Sequence, residues 1–228
     1  MTLLLNPKYE YLRSFAQYID LHFSQGGRTI HTGRNCLKVF QLEGIELCVK
    51  QYGNGPLRKR LMPNLHRMPK GKKAFMRPLQ LREQGFDSPE PVAYVAYRRS
   101  LLRNERYFIC LKSHFSHTLM EGVKFEDTEK ESLCEAFAKY IARLHDKGFL
   151  PVDLNATDVF FEKHDGRYQF ALIDTNSIKR KRKIDTKSGV KNLMQFFPGG
   201  CNYKSLLAVY AEARGLNLDA CETVLEAN

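Results

Sequence analysis

The sequence predicts an α+β chain of two lobes, a small sheet-rich part followed by a helical part. Strand patterns dominate before about residue 112 and helical periodicity dominates after it. The length, 228 residues, is ample for a core, and 43% hydrophobic with 27% charged residues is a globular mix rather than a disordered one. A formal charge of +11 points to an anionic partner. Much of that charge lies in two runs. Arg58, Lys59, Arg60, Arg67, Lys70, Lys72, Lys73, Arg77 and Arg82 are interrupted by no acid, and Lys179–Lys183 reads KRKRK. The plain alternative for each run is a solvated loop.

Asn6 caps a first helix with Pro7 at its first position. Leu12, Phe15, Ala16, Ile19 and Phe23 recur at helical spacing, and Gly26-Gly27 ends it. Thr29–His31 and Cys36–Leu42 follow as strands. Glu43-Gly44 turns the chain into Ile45, Leu47 and Val49, which alternate with Glu46, Cys48 and Lys50. A helix precedes Gly85. Pro89 and Pro91 introduce Val92–Tyr97, and a turn at Arg103-Asn104 leads into Tyr107–Leu111. Thr128–His145 is an amphipathic helix capped by Asp127 or Thr128, with Leu133, Phe137, Tyr140, Ile141 and Leu144 as its core stripe and Lys147-Gly148 as its stop. Asp165-Gly166 joins Val159–Glu162 to Tyr168–Ile173 as a hairpin. Asn202 caps a helix closed by Gly215, and a last helix covers Leu218–Leu225. The lobes divide as 1–111 and 112–228.

No run of about 18 apolar residues is present, so no transmembrane helix is expected. The start lacks the basic stretch and small-residue cleavage site of a signal peptide. Six scattered cysteines with no CxxC pair read as reduced thiols in a cytoplasmic protein, not as a disulfide framework or zinc site.

The informative segment is LHDKGFLPVDLNATDVFF (residues 144–161), followed by ALID ending at Asp174. A helix ends, a loop carries Asp153, Asp158 follows five residues later, and a hairpin closes at Asp174. Three carboxylates converging on one loop edge suit phosphoryl transfer, in which one takes the acceptor proton and the others hold magnesium against phosphates. Taken singly, each Asp reads as an ordinary cap or turn residue, and it is the ordered set with a strand Lys upstream that points to chemistry.

This pattern resembles the catalytic and metal-binding segments of the protein-kinase-like superfamily. Within it the chain is most similar to the lipopolysaccharide core kinases that act on Kdo or heptose. NPKYEYL with GRN, LREQGFDSPEPVAY and VKNLMQFF add to the resemblance, which covers nearly the whole chain. It implies a bilobal kinase-like fold with an abbreviated helical C-terminal lobe, ATP and Mg²⁺ as cofactors, Asp153 as the catalytic carboxylate, and Asp158 and Asp174 as metal ligands. Lys50, in ELCVK, is implied to hold phosphates. Cys48 then faces adenine, and Gly33 is the one glycine available for a phosphate-covering turn. An anionic glycolipid acceptor (lipid A with its inner core) and peripheral contact with an anionic membrane face are implied with it. No protein-kinase-like anchor for a peptide follows Asp174, which favours a small or glycan acceptor over a protein one.

The departures point to an alternative. Pro151 stands where catalytic loops of this type carry His or Tyr. Asp158 replaces a usual Asn. Met76 falls where the helix Glu that pairs with the strand lysine is expected, with Glu83 as a distant substitute, and Pro78 predicts a short or kinked helix there. On those residues the alternative is a catalytically impaired scaffold in envelope assembly. A nucleic-acid-binding role rests on charge alone and lacks recognition-helix or RNP patterns.

Overall fold

The computed structural model describes residues 1–53, 70–99, 104–197 and 202–227. Two compact units divide the chain: Met1–Arg82 with Pro89–His114, and Glu83–Ser88 with Phe115–Asn228.

The first unit is built on a six-stranded antiparallel sheet. Its strands are β1 (Thr2–Leu5), β2 (Arg28–His31), β3 (Asn35–Leu42), β4 (Ile45–Tyr52), β5 (Pro91–Arg98) and β6 (Asn104–Leu111), in spatial order β1-β5-β6-β4-β3-β2. The alternation along β4 decides what each face does. Leu47 and Val49 are fully buried on one face, with Val92, Val95 and Ile109 of the neighbouring strands. Burying an aliphatic side chain of this size contributes about 1.5–3 kcal/mol. The N-terminal helices cover that face through Leu12, Ala16, Ile19 and Phe23. The opposite face carries Cys48, Tyr52, Tyr94, Phe108 and Cys110, and α3 (Lys70–Glu83) packs there through Ala74, Phe75, Met76 and Leu79.

The first helix differs from the sequence expectation. Asn6 is the cap, its Oδ1 accepting from Lys8 N–H, but Pro7–Leu12 is a 3₁₀ helix. Two short α-helices follow, α1 (Arg13–Gln17) and α2 (Ile19–Gln25), broken at Tyr18. Tyr97 Oη donates to the Gln17 carbonyl at 2.6 Å, so a side chain from β5 satisfies backbone freed at the break. Lys38 Nζ donates to the Phe23 and Gly26 carbonyls at 2.7 and 3.0 Å, placing a cation on the negative end of α2. α3 is also unlike the expectation. It has 14 residues and continues through Pro78, so the helix is not shortened there. Arg58, Lys59, Arg60 and Arg67 of the first basic run, and Arg103 of the turn before β6, lie outside the described residues.

In the second unit β7 (His117–Thr118) leads into the one-turn helix α4 (Leu119–Gly122), and then α5 (Asp127–Asp146) forms the spine. The N-cap of α5 is Glu126, with no side-chain cap bond, rather than Asp127 or Thr128. Asp127 sits instead in the first turn, where its carboxylate pairs with Lys130. The predicted stripe is buried as read, and Phe137 is its hub. Its ring lies 5.1–5.8 Å from those of Tyr140, Phe170, Phe196 and Phe197. β8 (Phe149–Pro151) follows, and β9 (Val159–His164) pairs with β10 (Arg167–Leu172). Asp165 and Gly166 both have positive φ, at 49° and 74°, which is what a two-residue hairpin of this twist needs. β11 (Ile178–Arg180) returns to pair antiparallel with β8. Helices α6 (Thr186–Met194), α7 (Tyr203–Arg214) and α8 (Leu218–Glu226) complete the unit. Asn202 caps α7 and Gly215, at φ 61°, ends it. Among the described residues no helix is long and apolar enough to cross a membrane.

Candidate active site

Asp153 lies in the turn after β8, with an exposed side chain. The chain then forms a tight capped turn. Asn155 Oδ1 accepts from Thr157 N–H at 2.8 Å, and Asp158 Oδ2 accepts from Asn155 N–H at 3.1 Å. Asp158 therefore does the capping work expected of an Asp at this place, whatever else it does. Asp174 follows β10 and accepts from Asn176 Nδ2 at 2.7 Å. The ladder between β9 and β10 brings the backbone next to these two residues together: Leu172 stands opposite Val159, and Ile173 N–H donates to the Asp158 carbonyl at 2.9 Å.

The sequence predicts convergence of three carboxylates. Among the described residues, however, no three His, Cys, Asp or Glu side chains are grouped closely enough to hold a metal ion. A site that needs three protein donors is not formed. Magnesium needs fewer, since it takes one or two carboxylates and fills its shell with phosphate oxygens and water. Asp158 and Asp174 are carboxylates of the type magnesium takes, on backbone segments that the β9–β10 ladder joins.

The loop that carries Asp153 is gripped from below. Pro151 has no N–H to give, but its carbonyl accepts from Asn192 Nδ2 at 2.6 Å and from Gln195 Nε2 at 2.7 Å. Gln195 Nε2 also donates to the Leu154 carbonyl at 2.8 Å. Asn192 Oδ1 accepts from His145 Nε2 at 2.9 Å, and His145 Nδ1 lies 2.7 Å from Tyr210 Oη. Arg214 Nη1 donates to the same Tyr210 oxygen at 2.7 Å, and Arg214 also holds Asp146 Oδ1 and the Ile184 carbonyl at 2.9 Å each. Burial pushes the His145 imidazole down to about 4, so it is neutral near pH 7. None of Asn192, Gln195, Tyr210 or Arg214 was singled out by sequence. The available signals were His145 inside LHDKGF, directly after the buried Leu144, and the polar pair inside VKNLMQFF.

Lys179–Lys183 is part strand and part exposed loop, the loop being Lys181 to Lys183. Lys179 and Arg180 lie in β11, opposite Leu150 and Phe149 of β8, and Lys181 N–H bonds to the Gly148 carbonyl. The Arg180 guanidinium lies 4.1 Å from the centre of the Phe149 ring. Lys179 through Lys183 are all exposed, and Ile184 anchors the end of the run in the core.

Within the first unit, Lys50 and Cys48 share a face of β4, as the alternation predicts. Lys50 is half-buried, with Nζ 5.6 Å from the Tyr52 ring centre. Cys48 stands directly opposite Cys110 of β6. The hydrogen bond from Cys110 pulls the Cys48 thiol down, helped by Lys50 and Lys112, while the same bond and burial push Cys110 up. Gly33 is exposed in the bend between β2 and β3, where a Cβ would meet only the His31 ring, at 3.2 Å. The glycine that this hairpin requires is Gly53, where a Cβ would fall 1.9 Å from the Arg34 carbonyl oxygen.

The model of the lipopolysaccharide kinase (Kdo/WaaP) family matches residues 31–198. Among solved structures, WaaP in complex with acyl carrier protein superposes with a TM-score of 0.70 at 13% identity, covering 99% of this chain and 95% of that one. The Rio2 kinase ADP/Mg²⁺-phosphoaspartate complex from Chaetomium thermophilum superposes at 0.54 with 17% identity, over 99% of this chain and 72% of the other. Comparison with curated protein sequences returned no significant match. The fold is that of the protein-kinase-like proteins, and the family model spans most of the sequence. The chain belongs to the lipopolysaccharide kinase (Kdo/WaaP) family.

Proposed function

We propose that this protein is an ATP-dependent phosphotransferase that phosphorylates a sugar hydroxyl, Kdo or heptose, of the lipopolysaccharide inner core. The observation that carries the acceptor class is the pairing of β8 with β11. Ile178 stands opposite Pro151 and Lys179 opposite Leu150, so the exposed cationic run begins near the turn that bears Asp153 and extends along β8 toward Gly148, a track of positive charge that suits a phosphorylated or otherwise anionic glycolipid.

In this reading Asp153 orients the acceptor hydroxyl and takes its proton as the bond to phosphorus forms. Asp158 and Asp174 would hold Mg²⁺, which when bound neutralises charge on the phosphates. Lys50 would steady the α- and β-phosphates, Cys48 would face the adenine, and the bend at Gly33 would lie over the phosphates. A cytoplasmic chain bearing these cations would work at the inner face of the membrane, in peripheral contact with anionic lipid.

The test has two arms. Mg·ATP at about 100-fold over its Kd should stabilise the protein by about 2.7 kcal/mol, a rise in melting temperature of roughly 5–11 °C for this length. Transfer of the γ-phosphate to deacylated inner-core oligosaccharide should then be seen and should be lost in Asp153→Asn. A thermal shift without transfer to any core sugar would remove the acceptor assignment. Neither shift nor transfer would leave the scaffold reading, which α3 favours through its sequence, since its only acid is the last residue, Glu83.

A further inference from the structure

We infer that Asn192 and Gln195 are positioning residues for Asp153, held in register by a one-directional chain of hydrogen bonds that starts at Arg214. The inference rests on the proposed role of Asp153.

The direction of the chain follows from what each atom can do. The Pro151 carbonyl only accepts, so the Asn192 amide must present Nδ2 to it and Oδ1 to His145. Oδ1 only accepts, so the His145 proton sits on Nε2 and Nδ1 is left as an acceptor. Tyr210 must then donate its one hydroxyl proton to Nδ1, and its oxygen is free to accept from Arg214 Nη1. Every donor meets an acceptor, and only the neutral imidazole allows it. Arg214 cannot reverse the sense, because guanidinium only donates. The chain is therefore polar from end to end, and its last link fixes a carbonyl two residues before Asp153.

Gln195 supplies the second hold. Its one amide nitrogen bonds the carbonyls of Pro151 and Leu154, which bracket Val152 and Asp153. Three donations from α6 and its C-cap thus fix both ends of the turn that aims Asp153. The pairing of β8 with β11 constrains the same segment from the other side, through Phe149, Leu150 and Pro151. This assembly supplies the anchoring that Pro151 itself cannot, having neither a polar side-chain atom nor a backbone N–H. His145, Asn192 and Tyr210 are buried, so water does not compete for these bonds.

The experiment compares Gln195→Ala, Gln195→Glu and Asn192→Asp with the wild type. The readouts are steady-state Mg·ATP hydrolysis, hydrogen exchange of the peptide covering 149–158, and melting temperature. Gln195 is half-buried, and Gln195→Glu keeps its size while turning a carboxylate onto two carbonyl oxygens, so a fold defect in one variant does not remove the test. A displacement of the turn by about 1 Å should lower kcat about 10- to 100-fold. KM for ATP should stay within about 2-fold, because Lys50, Asp158 and Asp174 are untouched. Exchange should quicken at 152–154 and not in α5. Quicker exchange with unchanged kcat would overturn the positioning role. Unchanged exchange would overturn the clamp itself. If the wild type turns over and Gln195→Ala matches it, this inference fails alone. If the wild type neither hydrolyses Mg·ATP nor transfers its phosphate, the proposed function fails and takes the inference with it.

Discussion

Replacing Gly189 by Ala tests the packing of the His145 chain, and two effects of opposite sign compete. Gly189 lies buried inside α6. On helix propensity alone, Gly→Ala stabilises an interior helix position by roughly 0.5–1 kcal/mol. The added carbon, however, would sit 2.2 Å from Tyr210 Oη, 2.8 Å from Arg214 Nη1 and 3.4 Å from His145 Nδ1. Tyr210 is fully buried, and its hydroxyl is tied to both His145 and Arg214, so the ring has no free direction in which to retreat. Overpacking costs about 1–3 kcal/mol, and displacing a buried hydroxyl from its partners costs about 1–3 more. The clash wins, with a net loss of about 3 kcal/mol. For a chain of this length that is a fall in melting temperature of roughly 6–12 °C, readable by calorimetry or scanning fluorimetry. Tyr210→Phe removes the oxygen nearest the new methyl. In that background Gly189→Ala should cost at least about 1 kcal/mol less, a coupling that a double-mutant cycle isolates. A Gly189→Ala protein as stable as the wild type, or a cost unchanged by Tyr210→Phe, would refute the reasoning.

Two further outcomes follow from the titrating groups. His145 is held near 4, against an ordinary value of 6.5, so the unfolded chain takes up a proton that the folded one refuses. Its contribution to stability is complete above about pH 6.5 and is lost as pH falls toward 4, a change of roughly 3 kcal/mol in all. Burial dominates that shift. Arg214 adds to it, while Asp146 and the bond to Asn192 oppose it. The ring proton resonance of His145 should therefore stay in its neutral position from pH 8 to about pH 5, and a midpoint near 6.5 would contradict the buried neutral ring. In the other unit, Cys48 should alkylate faster than Cys110 with iodoacetamide at pH 7.5, because the bond from Cys110 favours the Cys48 thiolate. Mg·ATP should slow that labelling if Cys48 faces adenine. Equal rates for the two thiols, measured by peptide mass spectrometry, would remove the asymmetry.

What could be read in the chain beforehand was whatever local chemistry dictates. Glu43-Gly44 and Asp165-Gly166 announce their hairpins because both residues of each turn need positive φ, and they have it. Asn6 and Asn202 announce their caps because a short side-chain oxygen reaches the next free N–H. The strand β1 was not legible. Its four residues pair with Ala93–Ala96, about 90 positions away, and nothing local marks an apolar run of four as a strand. α6 was missed for a different reason. It begins right after the basic run and contains Ser188 and Gly189, poor helix formers, although Asp185 accepting from Ser188 N–H is a readable cap. The motif around Asp153, Asp158 and Asp174 was visible as a spacing. The clamp was not, because its bonds span 41–65 residues and their partners carry no periodic signal.

That clamp bears on the choice between enzyme and scaffold. Pro151 is the position at which the sequence departs most visibly from the catalytic loops it resembles, and read alone it argues for a disabled loop. A disabled loop needs only to be stable. Buried hydrogen bonds are a poor way to achieve that, since the net gain of each is about 1 kcal/mol and apolar groups of the same shape can do as well. What a chain of oriented donors adds is direction, because each link fixes the rotamer of the next. Here the last two links end on the carbonyls of Pro151 and Leu154, on either side of the one exposed carboxylate of the loop. Rigidity delivered to that turn is of use to a group that must meet a hydroxyl within tenths of an ångström, and of little use to a surface that only docks. The substitution at Pro151 and the amides of Asn192 and Gln195 are thus one arrangement, in which the turn gives up its own donor and is gripped by two others.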